Sequence, residues 1–323
     1  MNSVFLIIVG LVLFLYALNS LSVGLKNLAA DKLKTFLDRF TNNVFKGIIS
    51  GIIVTILLDS SSVVIIMTIA LVNSKALTFR QAMGIVMGAN IGTTFSSQIF
   101  ALDVGEYAAF PILVGFILMF FFRSNFYTNL GRVIFSFGLI FFGLFTIEEA
   151  VAPLKESGGV TNWLMSLDNT WKGVSTGALV TVVVQSSSAT MGMVISLGEE
   201  NLITLAGSIA VMLGAELGTC ADTLVASIGR SRASIRTGLF HLAFNVITIL
   251  LGMMVLPLFT NLVNIISGGN SLQRTIANAH MLFNILGVVL MLPFLKVYES
   301  VLERVVPDTS TQPGVEKNAR TVY

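Results

Sequence analysis

The 323-residue chain is 54% hydrophobic and only 11% charged, with a mean hydropathy of +0.87. So little polar surface cannot clothe a soluble globule of this size, and the chain reads as an all-α integral membrane protein. The net charge of +2 sits in short loops between apolar runs, which gives no stripe for nucleic acid, and a single cysteine excludes an internal disulfide or a thiolate metal cluster.

In chain order, Met1-Asn2-Ser3 runs straight into an apolar segment at 4–25 with no basic n-region or small-residue cleavage site, so this segment is expected to be a retained helix. Further apolar runs of spanning length fall at 81–102, 106–122, 132–150, 203–228, 237–260 and 276–296. At about 20 residues for roughly 30 Å of hydrocarbon, they predict about seven full spans. Two other apolar regions, 46–73 and 172–198, are split by Asp59-Ser60-Ser61-Ser62 and Gln185-Ser186-Ser187-Ser188. Each half is too short to cross, so both regions are expected to be re-entrant helical hairpins.

These two regions belong to a duplication. Lys46 to Thr93 aligns without a gap on Lys172 to Thr219, 126 positions later, with sixteen of forty-eight residues identical. The identities include Gly51/Gly177, Thr55/Thr181, the three serines, Thr78/Thr204, Gly88/Gly214, Gly92/Gly218 and Thr93/Thr219. With the N-terminus outside, sixteen basic residues, among them Lys32, Lys34, Arg39, Lys317 and Arg320, fall on the cytoplasmic side. Only Lys155, Lys172 and Arg274 remain outside, beside acidic residues including Asp103, Glu148, Asp168 and Glu199. That sorting predicts a cytoplasmic C-terminus and two repeats of inverted topology, each with a re-entrant hairpin and a broken transmembrane helix. Residues 1–296 then form a single transmembrane transport domain: repeat 1 about 1–125, repeat 2 about 126–260 and an extra C-terminal span about 276–296. Residues 297–323 form a cytoplasmic tail, polar and partly disordered beyond Pro307.

Duplicated polar interruptions in an apolar chain point to a secondary transporter with its site between two repeats. At each hairpin turn, serine is a favoured N-cap, and the free amides and positive dipole end of the second half-helix make an anion seat. The first half-helix ends in carbonyls, which favour a cation. The candidate substrate-binding residues are Ser60, Ser61, Ser62, Ser186, Ser187, Ser188, Asn90, Thr93, Thr94 and Thr219, and the candidates for sodium or proton coupling are Asp59, Gln185, Glu216, Thr55 and Thr181. Gly88-Ala89-Asn90-Ile91-Gly92-Thr93 and Gly214-Ala215-Glu216-Leu217-Gly218-Thr219 allow a helix to unwind in mid-membrane, or else to pack closely against a neighbour. His241-x-x-x-Asn245 and His280-x-x-x-Asn284 place each pair on one helix face; hydrogen bonding between helices outweighs catalysis, since no Gly-x-Ser-x-Gly elbow is present, and outweighs a metal site. Cys220, at the position of Thr94, reads as a small lining or packing residue.

Gln185-Ser186-Ser187-Ser188 and the duplicated triplet, with Gly88-Ala89-Asn90-Ile91-Gly92-Thr93 about 28 residues further on, resemble the type II sodium-dependent phosphate cotransporters and their bacterial relatives over nearly all of 1–296. The resemblance implies inverted repeats, inorganic phosphate as substrate and Na⁺ as coupling ion, with both serine triplets as ligands and Asn90, Thr93 and Gln185 beside them. The chain departs from the family pattern at two places: Asp59 stands where the family has Gln, and Glu216 where it has Asn. Each ionised acid in mid-membrane costs roughly 2.5–3.5 kcal/mol, so each is expected to bind a cation, carry a proton or pair with a basic group.

The expected function is Na⁺-coupled phosphate symport by alternating access. A proton-coupled or exporting carrier of phosphate or another small oxyanion is the alternative, and an anion channel the alternative from another class. No enzyme activity, cofactor or nucleic-acid partner is expected; lipid surrounds the chain in the cell (inner) membrane, and a homodimer is allowed. A tenfold Na⁺ gradient supplies about 1.4 kcal/mol per ion, and 100 mV about 2.3 kcal/mol per charge. Drawing a dianion inward costs about 4.6 kcal/mol, so concentrative uptake needs at least two cations.

Overall fold

The computed structural model describes residues 3–40, 43–102 and 104–308, with the side chains of 29–40 outside the description. Lys32, Lys34, Arg39, Asp103, Lys317 and Arg320, like the tail from 309 onward, therefore lie outside the described residues or side chains. The described residues fold into helices and turns, without a strand.

In chain order the α-helices are α1 (Ser3–Phe40), α2 (Val44–Leu58), α3 (Ser61–Asn73), α4 (Phe79–Phe100), α5 (Ala109–Phe121), α6 (Asn125–Val151) and α7 (Gly158–Met165). Then follow α8 (Thr170–Val184), α9 (Ser187–Glu199), α10 (Leu205–Gly218), α11 (Cys220–Ser227), α12 (Arg232–Met254), α13 (Leu256–Ser267), α14 (Leu272–Met291) and α15 (Leu295–Val305).

Five stretches are long and apolar enough to cross a membrane: Ser3–Leu28, Asn125–Glu156, Leu205–Ser227, Arg232–Met254 and Leu272–Val305. A sixth arises only if α4 and the Gly105–Phe121 stretch count as one span bent by 79°. The expected seven are therefore corrected to five or six. The 106–122 run begins with a 3₁₀ turn at Gly105–Tyr107, and the helix after it has 13 residues. At 1.5 Å per residue that helix covers about 20 Å, short of the hydrocarbon thickness. Broad apolar exposure fits a bilayer-facing surface, with Phe120 71%, Val183 73% and Met254 80% exposed.

The duplication reappears as local geometry. Asn43 and Asn169 cap α2 and α8 by accepting from Lys46 and Lys172 amides, and Thr78 and Thr204 cap α4 and α10. Asp59 (φ 50°) and Gln185 (φ 57°) both end their helices in the left-handed region, and Lys75 and Asn201, also 126 apart, share a positive φ. Helix α2 lies on α4 as α8 lies on α10, while α3 meets α11 and α9 meets α4, so each serine-bearing second arm packs on the other copy.

The duplicated glycines make the close approach. A Cβ on Gly88 would run into the Ile48 carbonyl, and one on Gly214 into the Val174 carbonyl; Gly92 and Gly218 lie against the Cβ atoms of Thr55 and Thr181. Close packing is thus what these glycines do, and α4 runs unbroken from Phe79 to Phe100 through Gly88–Thr94. The expected break is absent from the first copy. In the second, α10 and α11 are separated by the single residue Thr219, which keeps right-handed helical angles (φ −65°, ψ −17°) and donates its backbone N–H to the Ala215 carbonyl at 3.2 Å, so Leu205–Ser227 runs as one span there too.

Two apolar cores flank this centre. One gathers Val54, Ile65, Ile69, Met83, Phe240 and Phe244, and the other Phe14, Met191, Ile195, Leu213 and Phe283. On the first core, α15 is held by Arg236, which is 4% exposed. Arg236 donates Nε–H to the Val306 carbonyl at 2.8 Å and pairs with Asp308 at 2.9 Å, and Arg80 meets Glu299 at 3.4 Å.

Candidate functional site

Each serine triplet opens a helix. Ser60 is the N-cap of α3 and accepts from the Val63 amide at 3.3 Å; Ser186 is the N-cap of α9 and accepts from the Ala189 amide at 3.1 Å. The two caps have nearly the same backbone, φ −159° and ψ 109° against φ −155° and ψ 114°. An N-cap hydroxyl that accepts one amide still has its own proton to give, and the first-turn amides of the next residues lack helical partners. Ser61, Ser187 and Ser188 are buried; Ser60, Ser62 and Ser186 are half-buried. The arrangement offers hydroxyl and amide donors at two helix starts, which suits an anion.

The two turns differ in charge. Asp59 is half-buried and accepts a hydrogen bond from Ser96 Oγ–H, whereas Gln185 is exposed. Ser62 Oγ lies 3.4 Å from Thr219 Oγ1, which joins the first turn to the α10–α11 junction of the other copy. Asp222 of α11 also faces Ser62, so two carboxylates flank the first triplet. Asp222 and Ser96 are absent from the sequence-derived set, yet they are 126 apart: continuing the repeat alignment three residues beyond Thr93 would have paired them.

Thr93 and Thr94 donate to their own helix, to the Ala89 carbonyl at 3.0 Å and the Ile91 carbonyl at 2.7 Å. Thr181 and Thr190 hydroxyls meet at 2.8 Å, but the first copy has Val64 in place of Thr190, and buried Thr55 Oγ1 has no hydrogen-bond partner among the described residues. Thr190→Val, which copies the first repeat into the second, is expected to strand Thr181 at a cost of about 1–3 kcal/mol. Unfolding in detergent measures it; an unchanged midpoint would show that the pair contributes nothing.

Between the copies runs a buried polar network. Asn90 donates to Asn245 Oδ1 at 2.8 Å, and Asn245 Nδ2 donates to the Glu216 carbonyl at 2.9 Å. Glu216, 4% exposed, accepts at Oε1 from His280 Nε2 and Asn284 Nδ2, both at 2.9 Å. His241 Nδ1 lies 2.8 Å from Thr223 Oγ1. Both histidines therefore bridge helices, in line with their spacing. Cys220, also buried, lies 3.3 Å from Asn245 Nδ2.

The sequence model of the Na⁺/Pi-cotransporter family matches residues 13–149 and 156–292, one serine triplet in each stretch. The chain belongs to this family. It is a family of transporters, which is the ground for reading the chain as a multi-span carrier rather than an enzyme. "Uncharacterized protein YqeW" of Bacillus subtilis (strain 168) is 27% identical over 295 residues, 91% of this chain and 95% of that protein. "Putative inorganic phosphate export protein YjbB" of Salmonella typhimurium is 24% identical over 299 residues, 92% of this chain but 54% of its own length, so the chain spans about half of that relative. "Sodium-dependent phosphate transport protein 2B" of Homo sapiens is 41% identical over 70 residues, 21% of this chain and 10% of that protein. No solved structure matches the chain.

Proposed function

We propose that the protein carries inorganic phosphate across the cell membrane, coupled to Na⁺, by alternating access at a site between two repeats of opposite orientation. With five crossings, α4 and α5 dipping in and returning to the same side, the α2–α3 and α8–α9 pairs act as re-entrant hairpins entering from opposite faces, with the N-terminus outside and the C-terminus cytoplasmic; a sixth crossing would put both termini on one side. The observation that carries the reading is the pair of serine-capped helix starts, Ser60–Ser62 and Ser186–Ser188, one of which reaches Thr219 of the other copy.

In this reading the serine hydroxyls and first-turn amides hold the phosphate, with Asn90, Thr93, Thr94 and Thr219 lining the site. Na⁺ takes the carbonyl end of α2, where Asp59 and the unpartnered Thr55 hydroxyl supply oxygen, and the matching end of α8 at Gln185 and Thr181. A hard cation favours such oxygen donors. Asp59 and Asp222 near the first triplet would repel the anion without a cation between them, which makes anion binding depend on the cation.

Phosphate uptake into proteoliposomes under an inward Na⁺ gradient, with K⁺ and proton gradients as controls, tests this. Na⁺-dependent uptake that falls to background when either triplet is replaced by alanine is the expected result. Uptake driven equally by K⁺, or flux without counterflow, would instead mean a channel or another coupling ion. Export is the second reading, favoured by the name of the YjbB relatives; loaded vesicles that release phosphate only with Na⁺ moving in the same direction would establish it.

A further inference from the structure

The two His-x-x-x-Asn helices form a cross-brace with a two-fold pattern. The α12 brace holds Thr223 of the second copy at His241 and, through Asn245, Asn90 of the first. The α14 brace holds Ser97 of the first copy at His280 Nδ1, 2.7 Å away, and Glu216 of the second at Nε2. Ser97 and Thr223 are 126 apart, as are Asn90 and Glu216, so each brace ties the hydroxyl of one copy to the Asn or Glu of the other. They differ at one station, a neutral amide in the first and a carboxylate in the second.

That difference changes what each ring can do. The Glu216 backbone carbonyl only accepts, so the Asn245 amide must turn its NH₂ toward it, and the same NH₂ lies 3.2 Å from His241 Nε2. Nε2 of His241 is then the acceptor and Nδ1–H donates to Thr223; a second proton would set donor against donor. His280 is arranged the other way. Its Nε2–H donates to a carboxylate, and its Nδ1 faces a hydroxyl that can donate to a bare nitrogen or, by rotating about its C–O bond, accept from a protonated one. Both protonation states of His280 are fully hydrogen-bonded with no heavy atom displaced.

We propose that the Glu216–His280–Ser97 chain is a proton-binding site of this carrier. It takes up one proton at His280 Nδ1 as Ser97 turns from donor to acceptor, and the pair passes from net −1 to neutral. Glu216 stands one turn of α10 before Thr219, the residue that touches Ser62. The groups facing Glu216 are His280 from α14, His241 from α12 and Cys220 from α11. Helix α4 carries only Arg80, in its first turn, α8 only Lys172, in its first turn, α9 only Glu199, in its last, and α13 no ionisable residue, while the Ser166–Asp168 turn against α10 carries Asp168. Deprotonation of the pair therefore adds a negative charge near the anion seat, and raising the pH weakens anion binding there. This consequence rests on the phosphate-carrier reading; the proton site does not.

The test has two arms. The full chain, ¹⁵N-labelled at its two histidines, is held in lipid nanodiscs and its ring nitrogens are followed from about pH 5 to pH 9, the range in which imidazole exchanges its proton. His280 is expected to gain a proton at Nδ1 on acidification while His241 keeps one, and Glu216→Gln to lower the proton affinity of His280 by about tenfold or more. An unchanging His280, or the same titration in Glu216→Gln, would overturn the proposal. In proteoliposomes, the ratio of wild-type to Glu216→Gln phosphate uptake cancels the titration of phosphate itself. It is expected to fall as pH rises, by up to about tenfold per unit; a flat ratio removes the link to transport. Titration of His280 without phosphate uptake at any pH would sustain the proton site and refute the carrier reading.

Discussion

Gly88→Ala and Gly214→Ala are each expected to destabilise the protein by about 3 kcal/mol or more, the upper end of the overpacking range. A methyl at either position meets a backbone carbonyl of the helix opposite, Ile48 on α2 or Val174 on α8. A side chain could rotate away, but a carbonyl moves only if the helix moves. Separating α2 from α4 would also pull Thr55 off Gly92, one turn further on. Thermal unfolding in detergent, with Gly158→Ala as reference, measures the effect, since a Cβ on Gly158 meets nothing within 4 Å. The reference should stay within about 0.5 kcal/mol of wild type. Equal behaviour of Gly88→Ala and Gly158→Ala would mean that the α2–α4 contact is looser than described.

Asn245→Leu is expected to cost about 2–4 kcal/mol: stranding buried Asn90 costs about 1–3 kcal/mol, and losing the bond to the Glu216 carbonyl, which keeps Cys220 Sγ–H at 3.5 Å, adds about 1 kcal/mol. The loss should not add to that of Asn90→Leu. Removing both amides leaves no stranded Asn90, so the double variant should recover at least about 1 kcal/mol relative to the sum. Strict additivity in a double-mutant cycle would show that the two side chains do not interact. The same variants bear on transport, since Asn90 and Glu216 belong to opposite copies and Asn245 is their shared contact.

Much of this architecture was legible in the sequence because it is duplicated. The offset of 126 identified the helix starts at Ser60 and Ser186, and the left-handed turns and N-caps repeat at that spacing. The apolar runs disclosed an all-helical membrane protein but miscounted its crossings, because hydropathy does not register the turn at Gly105–Tyr107 that shortens α5. The Gly-x-x-x-Gly pairs carried two meanings, and only the carbonyls of Ile48 and Val174 opposite them decide for packing. The i, i+4 spacing of His280 and Asn284 indicated a bridge between helices. Its far ends, Glu216 and Ser97, are 64 and 183 positions from His280, a separation that no local pattern reports. Asp222 was overlooked because it faces Ser62 from the far copy, outside the aligned stretch.

Two arginines tie helix α15 with unequal strength. The Arg80–Glu299 pair joins it to α4 through an arginine side chain that is 51% exposed, and an exposed pair of this kind contributes about 0–1 kcal/mol. Arg236 is almost wholly buried, and freeing its guanidinium from the Val306 carbonyl, Glu303 and Asp308 would leave a charge uncompensated inside the protein, at about 3–5 kcal/mol. If α4 and α12 slide past each other during the cycle, the weaker link yields first. Helix α15 then travels as an outrigger of α12, and its edge against α4 becomes a slip plane, so a spectroscopic distance from α15 to α12 would stay constant while one from α15 to α4 would report the motion.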